Sequence, residues 1–255
     1  MTRTIDTTET AGFRRNLTVL ILAQSLGAAS GPIVISLGGL VGQDLATDPA
    51  LATLPVSIYN LGLALGTVPA AWIMRQYGRR SGYLLGAMIG VLSGLVAAGA
   101  ISFGAFIFFC LGTFLAGLYA SYVQSYRFAA ADGREGADRG RAISWVMAGG
   151  VIAAFVGPNL ANWSRDLITG IPFAGSYASL IILYGISLIL ISWIRIPKPI
   201  GAEKSSGGRN LREIAIQPVF IVAVLGAVAA YGIMNLIMTS TPLAMAGFGH
   251  GFSKT

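Results

Sequence analysis

The 255-residue chain is 55% hydrophobic and 11% charged, with a mean hydropathy of +0.72. Soluble domains carry about 25% charged residues, so this composition excludes a soluble globular protein and defines a polytopic membrane protein. The net charge of +7 is parcelled into short segments between apolar runs, which is a topology signal and argues against nucleic-acid binding.

Residues 1–16 form a polar tail containing Arg3, Arg14 and Arg15. The apolar run behind it is too long for a signal-peptide core. The first predicted span covers 17–41 and is interrupted at Gly31 and Pro32, because a proline frees a backbone carbonyl and kinks a membrane helix. The segment 42–52 holds Asp44 and Asp48 and no positive charge, which places it outside. Spans two (53–74) and three (81–102) contain no charged side chain. Each exceeds the ~20 residues that cross a ~30 Å hydrocarbon layer. Between them lies a basic turn of Arg75, Gln76, Tyr77, Gly78, Arg79 and Arg80. Span three carries glycine at 82, 86, 90 and 94, then Ala98, a ridge on one face that lets helices approach closely.

The fourth span is 106–131, followed by a charged loop, 132–141. The fifth, 142–163, repeats the small ridge through Gly149, Ala153, Gly157 and Ala161. An outer loop, 164–176, leads to the sixth span, which closes a six-helix bundle over 17–194. Residues 195–217 read as a cytoplasmic linker, with Pro197, Pro199 and a short surface helix over 211–216. A seventh span, 218–245, precedes a tail of 246–255. Cys110, alone in an apolar run, reads as a small buried filler and excludes an internal disulfide. Assigning segments alternately inside and outside leaves only Arg165 and Lys254, of 17 Lys and Arg, outside. The expected orientation therefore has a cytoplasmic amino terminus in the cell membrane.

Several of these residues resemble the major facilitator superfamily. Its signature between the second and third helices approximates Gly-x-x-x-Asp-Arg-x-Gly-Arg-Arg. The stretch from Ala71 to Arg80 keeps Gly78, Arg79 and Arg80. It has Ala71 for the glycine, Arg75 for the aspartate and Gln76 for the first arginine, so a charge lock built on that aspartate lacks its acid. Asp138, Arg139, Gly140, Arg141 and Ala142 resemble the family's entry to the fifth helix. Gly157 and Pro158 are similar to the Gly-Pro helix break of its antiporters. Ala161 and Asn162 replace the following glycine pair, so antiport is not implied. Thr113 stands where a fourth-helix arginine would be. The resemblance implies an all-α bundle of two three-helix repeats, joined to the first helix of a second half. Family members have about twelve spans. Seven here imply a fragment, or a half that pairs with another chain.

In that family the solute sits at mid-membrane against helices one, four and seven. Candidate contacts are Gln24 and Ser25, then Tyr119, Tyr122, Gln124, Tyr126 and Arg127, then Tyr231 and Asn235. The tyrosines, spaced i, i+3 and i+7, are either a binding wall or helix packing. Arg127 is either a functional charge at membrane depth or a side chain snorkelling to the headgroups. For a transporter, Gln24, Tyr119, Tyr122 and Asn235 should converge on one concave surface. No acidic residue sits mid-span, so a coupling proton needs a carboxylate elsewhere, or the protein is a facilitator. An ion pair is expected between Asp132 and Arg79 or Arg80.

The inventory argues against an enzyme, a cofactor and a metal. The single histidine, His250, lies beyond the last span, and there is no zinc or phosphate-loop motif. The function expected is secondary active or facilitative transport of a small solute by alternating access. The alternative is a non-transporting half-length protein, inert or acting on a partner.

Overall fold

The computed structural model describes residues 7–132, 136–165, 167–168, 170–195 and 211–248. His250, Lys254, Arg3 and linker residues 196–210 lie outside this set. The chain divides into two units, Met1–Ile196 and Pro197–Thr255. Among the described residues are seven helical spans long and apolar enough to cross a membrane.

The first span is two helices, α1 (Thr7–Ala28) and α2 (Ser30–Leu45). Their junction falls at Ala29, slightly before the predicted interruption. The cause is Pro32, whose ring clashes with the carbonyl four residues back, at Ala28. A 3-10 turn, Pro49–Leu51, is capped by Asp48, whose carboxylate accepts from the Ala50 amide at 2.9 Å. Then come α3 (Leu54–Tyr77), α4 (Arg79–Ser102), α5 (Phe106–Ala131), α6 (Gly136–Ser164) and α7 (Ala174–Ser192). The fourth span matches its predicted bounds.

Three expectations are corrected. The basic segment from Arg75 to Arg80 is not a loop: Arg75 lies in the last turn of α3, Arg79 and Arg80 begin α4, and only Gly78 is non-helical. Its backbone, at φ 89° and ψ 157°, is one that glycine adopts without a side-chain penalty. Asp138, Arg139 and Arg141 likewise lie inside α6 and not in a loop. Finally, Gly157 and Pro158 do not break α6, which is continuous through both. The proline removes one hydrogen bond from the ladder, which a membrane helix tolerates when neighbours support it.

Helix α5 packs most extensively on α3 and α4; α4 also packs on α7, and α1 on α6 and α7. Exchanging the first-span pair, α3 and α4 with α5, α6 and α7 maps the α3–α5 contact onto α6–α1. It maps α4–α5 onto α7–α1, and α4–α7 onto itself. This is the arrangement of two three-helix repeats.

The small ridges make these contacts possible. A β-carbon at Gly82 would meet Met74, at Gly86 Tyr122, at Gly90 Tyr119 and at Gly94 Ile181. The four glycines thus admit side chains from α3, α5 and α7. On α6, Gly149 lies against Ile21 and Ser25, and Gly157 against the Ala29 carbonyl at the α1–α2 junction.

The second unit contains α8 (Leu211–Ala215) and α9 (Pro218–Gly247). Residues Val219 to Tyr231 of α9 are exposed.

Candidate functional site

At the basic end of the bundle, Gly78 turns the chain so that Arg79 points along the first turn of α4. Its Nε lies 2.5 Å from Asp132 Oδ2, and its Nη2 donates to Oδ1 at 2.9 Å. Asp132 is the residue that caps α5, so the expected acid–base contact forms across two helices as a bidentate pair. Position 75 lacks the signature's acid, and the C-terminus of α5 supplies one in its place. Arg79 Nη1 also donates to the Tyr83 hydroxyl at 3.4 Å, and Tyr83 donates to the Ser125 carbonyl at 3.3 Å. Arg80 Nη2 donates to the Ser192 carbonyl at the end of α7, at 2.9 Å. Nearby, Asn16 exchanges two hydrogen bonds with the Arg195 backbone. Helices α1, α4, α5 and α7 are therefore tied together at this one end.

The Arg79 side chain is 25% exposed and that of Asp132 47%, so water screens the pair in part. We expect a double-mutant cycle of Arg79→Ala and Asp132→Ala, read by thermal unfolding in detergent, to give a coupling of about 1 kcal/mol. Additive losses would make the contact incidental.

The α5 tyrosines lie inside the bundle. Tyr119 and Tyr126 are fully buried and Tyr122 is 4% exposed. Tyr119 donates to Ser187 Oγ at 3.1 Å and stacks edge-on against Tyr184, with centroids 4.7 Å apart. Tyr126 makes the same kind of contact with Tyr83, also at 4.7 Å. Such pairs add about 0.5–1.5 kcal/mol to plain burial. The three side chains are buried within the bundle, where Tyr122 and Tyr119 face Gly86 and Gly90 of α4 and the Tyr119 hydroxyl lies against Gly27 of α1. Tyr83, Tyr177, Tyr184 and Ser187 belong to the same interior and were missed in the sequence. A signal existed, because 177, 180, 184, 187 and 191 recur with a helical period and are all buried.

The polar candidates are dispersed. Ser25 is buried and donates to the Ile21 carbonyl within its own helix. Gln24, half-buried, packs beside Gly149 of α6. Gln124 is exposed. Arg127 is half-buried, its guanidinium 5.0 Å from the Phe128 ring centre and its Nε buried without a hydrogen-bond partner. Tyr231 and Asn235 stand on α9 in the second unit, where Asn235 donates to the Tyr231 carbonyl at 2.9 Å. Among the described residues no group of His, Cys, Asp and Glu is arranged to hold a metal.

The fold is thus a multi-pass helical membrane bundle of repeated three-helix units, tied at one end by an arginine–aspartate pair beside a glycine corner. The chain belongs to the Major Facilitator Superfamily, whose family model matches residues 17–255. It is 53% identical over 245 residues to the riboflavin transporter RfnT of Brucella anthropi, covering 95% of this chain and 62% of that protein. It is 31% identical over 264 residues to the uncharacterised MFS-type transporter YddS of Bacillus subtilis, covering 95% of this chain and 59% of YddS. The uncharacterised MFS-type transporter YdeG of the same organism is 29% identical over 254 residues, covering 93% of this chain and 59% of YdeG. The chain therefore spans about three-fifths of the length of these curated relatives.

Proposed function

We propose that this chain forms the N-terminal six-helix half, and the first helix of the second half, of an alternating-access carrier, and that the solute is riboflavin. The observation that carries the reading is the 53% identity to a riboflavin transporter over 95% of the chain. The distribution of arginines supports a cytoplasmic amino terminus in the cell membrane. Of the candidate contacts in the first unit, we assign solute binding to Gln24, Gln124 and Arg127, which keep accessible surface. Arg127 has several N–H donors suited to the carbonyl oxygens of an isoalloxazine ring, and a planar face for stacking on it. No membrane carboxylate is needed in this half if the carrier is a facilitator, or if the second half holds the proton-coupling group.

The test is uptake of labelled riboflavin by the full-length carrier in a bacterium that can neither make nor import the vitamin. Accumulation above the empty-vector control is expected, with Arg127→Gln and Gln24→Ala each lowering it several-fold at equal amounts in the membrane. No accumulation by a carrier present in the membrane would overturn riboflavin as the solute. Unchanged uptake in both variants would remove these residues from the site.

A second reading follows from the chain spanning 62% of RfnT. Alternating access needs one bundle to rock against another, so the 255 residues by themselves form a non-transporting membrane protein or a partner of another half. Expressed alone, they should give no uptake; transport by that piece would remove this reading.

A further inference from the structure

The bundle has a groove that none of the solute candidates touches. It lies between the start of α1 and the start of α6, with a volume of about 320 Å³, near the lower end of the roughly 300–1,000 Å³ common for ligand pockets. Its lining is divided by chemistry. Phe13 and Leu17 on α1 and Trp145 on α6 give an apolar wall; Arg14, Arg141 and Asp138 give a charged rim. The spacing explains the division, since Phe13 and Leu17 are one helical turn apart, as are Asp138 and Arg141, with Trp145 a turn further on. Both helices are membrane spans that begin near this point, Gly12–Leu45 and Gly136–Ser164, so the groove lies at headgroup depth.

We propose that this groove binds an anionic phospholipid, with the phosphate between the guanidinium groups of Arg14 and Arg141 and the glycerol and upper acyl chain against Phe13, Leu17 and Trp145. Arginine forks match phosphate oxygens in geometry as well as charge, and basic pockets between membrane helices take anionic headgroups. Two observations select a lipid over a free phosphate. Half the lining is apolar, and the Trp145 ring, 61% exposed, sits where the aromatic belt of a membrane protein meets lipid. Charge selects an anionic lipid: two arginines face one acid, and Arg15 and Arg139 are exposed on the adjoining positions. Asp138 does not neutralise Arg141 firmly. The pair is 3.9 Å apart, with side chains 67% and 78% exposed, and a phosphate competes readily for that guanidinium.

The experiment is a lipid titration of the full-length protein in detergent, read by native mass spectrometry with phosphatidylglycerol, phosphatidylethanolamine and phosphatidylcholine. Phosphatidylglycerol should be retained best. Arg14→Gln should weaken it about fivefold and the Arg14→Gln, Arg141→Gln pair about 30-fold, from about 1 kcal/mol per basic residue near the surface. Arg75→Gln, on α3 and away from the groove, should leave retention unchanged. Brominated phosphatidylglycerol should quench a fluorescence component that disappears in Trp145→Phe. Equal retention by the double variant, a preference for either zwitterionic lipid, or no quenching at Trp145 would each overturn the assignment. Displacement of the lipid by excess inorganic phosphate would identify a free-phosphate site and overturn the lipid one. Riboflavin uptake does not enter this measurement, so the proposal stands or falls apart from the identity of the solute.

Discussion

Gly117→Val will leave little correctly folded protein, whereas Gly99→Val will be close to neutral. A β-carbon at Gly117 would fall on the Tyr59 carbonyl oxygen and within 2.8 Å of the Leu63 amide nitrogen, and one at Gly62 would fall on the Phe114 carbonyl. Helices α3 and α5 therefore meet backbone to backbone. No side chain stands there to rotate aside, so the helices must separate. In lipid, helix association rests on close van der Waals packing, with no hydrophobic gain to offset a gap. Overpacking a well-filled site typically costs about 1–3 kcal/mol, and backbone contacts leave the upper end of that range as the minimum here. Gly99 has nothing within 4 Å of its would-be β-carbon, and a valine there changes only helix propensity, by a few tenths of a kcal/mol. Size-exclusion recovery and melting temperature in detergent compare the two. If both variants are recovered equally and melt together, α3 and α5 do not approach as described.

The same contacts explain what the sequence could and could not disclose. Hydropathy located the spans well, because length and apolarity are what a bilayer demands. It misplaced helix ends, because loss of hydropathy is not loss of helix. Arg75, Asp138, Arg139 and Arg141 are polar residues inside helices, and the one true stop between α3 and α4 is the backbone of Gly78. The first-span break was displaced for a similar reason: a proline disturbs the turn before it, and the chain parts at Ala29 rather than at Gly31 or Pro32. The Arg79–Asp132 pair was legible because charge, end of bundle and topology agreed. The tyrosines of α5 were not, since one stripe serves equally as a cavity wall or as packing. In the fold, Gly86 and Gly90 on α4 receive Tyr122 and Tyr119. The glycine ridge and the tyrosine stripe were each visible in the sequence; their meeting required the fold.

Tyr119→Ala should be among the most damaging single side-chain truncations in the bundle, and Tyr119→Phe among the mildest. The ring is fully buried. It lies edge-on to Tyr184 with centroids 4.7 Å apart, and the site of a Gly90 β-carbon is 3.0 Å from its Cγ. Truncation leaves a cavity between α1, α4, α5 and α7, at a cost of about 3–5 kcal/mol for a buried aromatic residue. Removing only the hydroxyl loses the bond to Ser187, and interhelical hydrogen bonds in membranes average about 0.6 kcal/mol with a maximum near 1.7. Ring packing therefore outweighs the hydrogen bond several-fold. A second measurement separates this from general fragility. Gly90→Leu should destabilise the native protein by driving into the Tyr119 ring, yet cost less in the Tyr119→Ala background, where the new side chain enters the vacated space. The double-mutant cycle, read by unfolding in mixed micelles, should then show a coupling well above the roughly 0.3–0.5 kcal/mol expected for independent sites. Equal losses in Tyr119→Phe and Tyr119→Ala would shift the role from packing to the hydroxyl. Strict additivity with Gly90→Leu would mean that α4 and α5 do not meet through this ring.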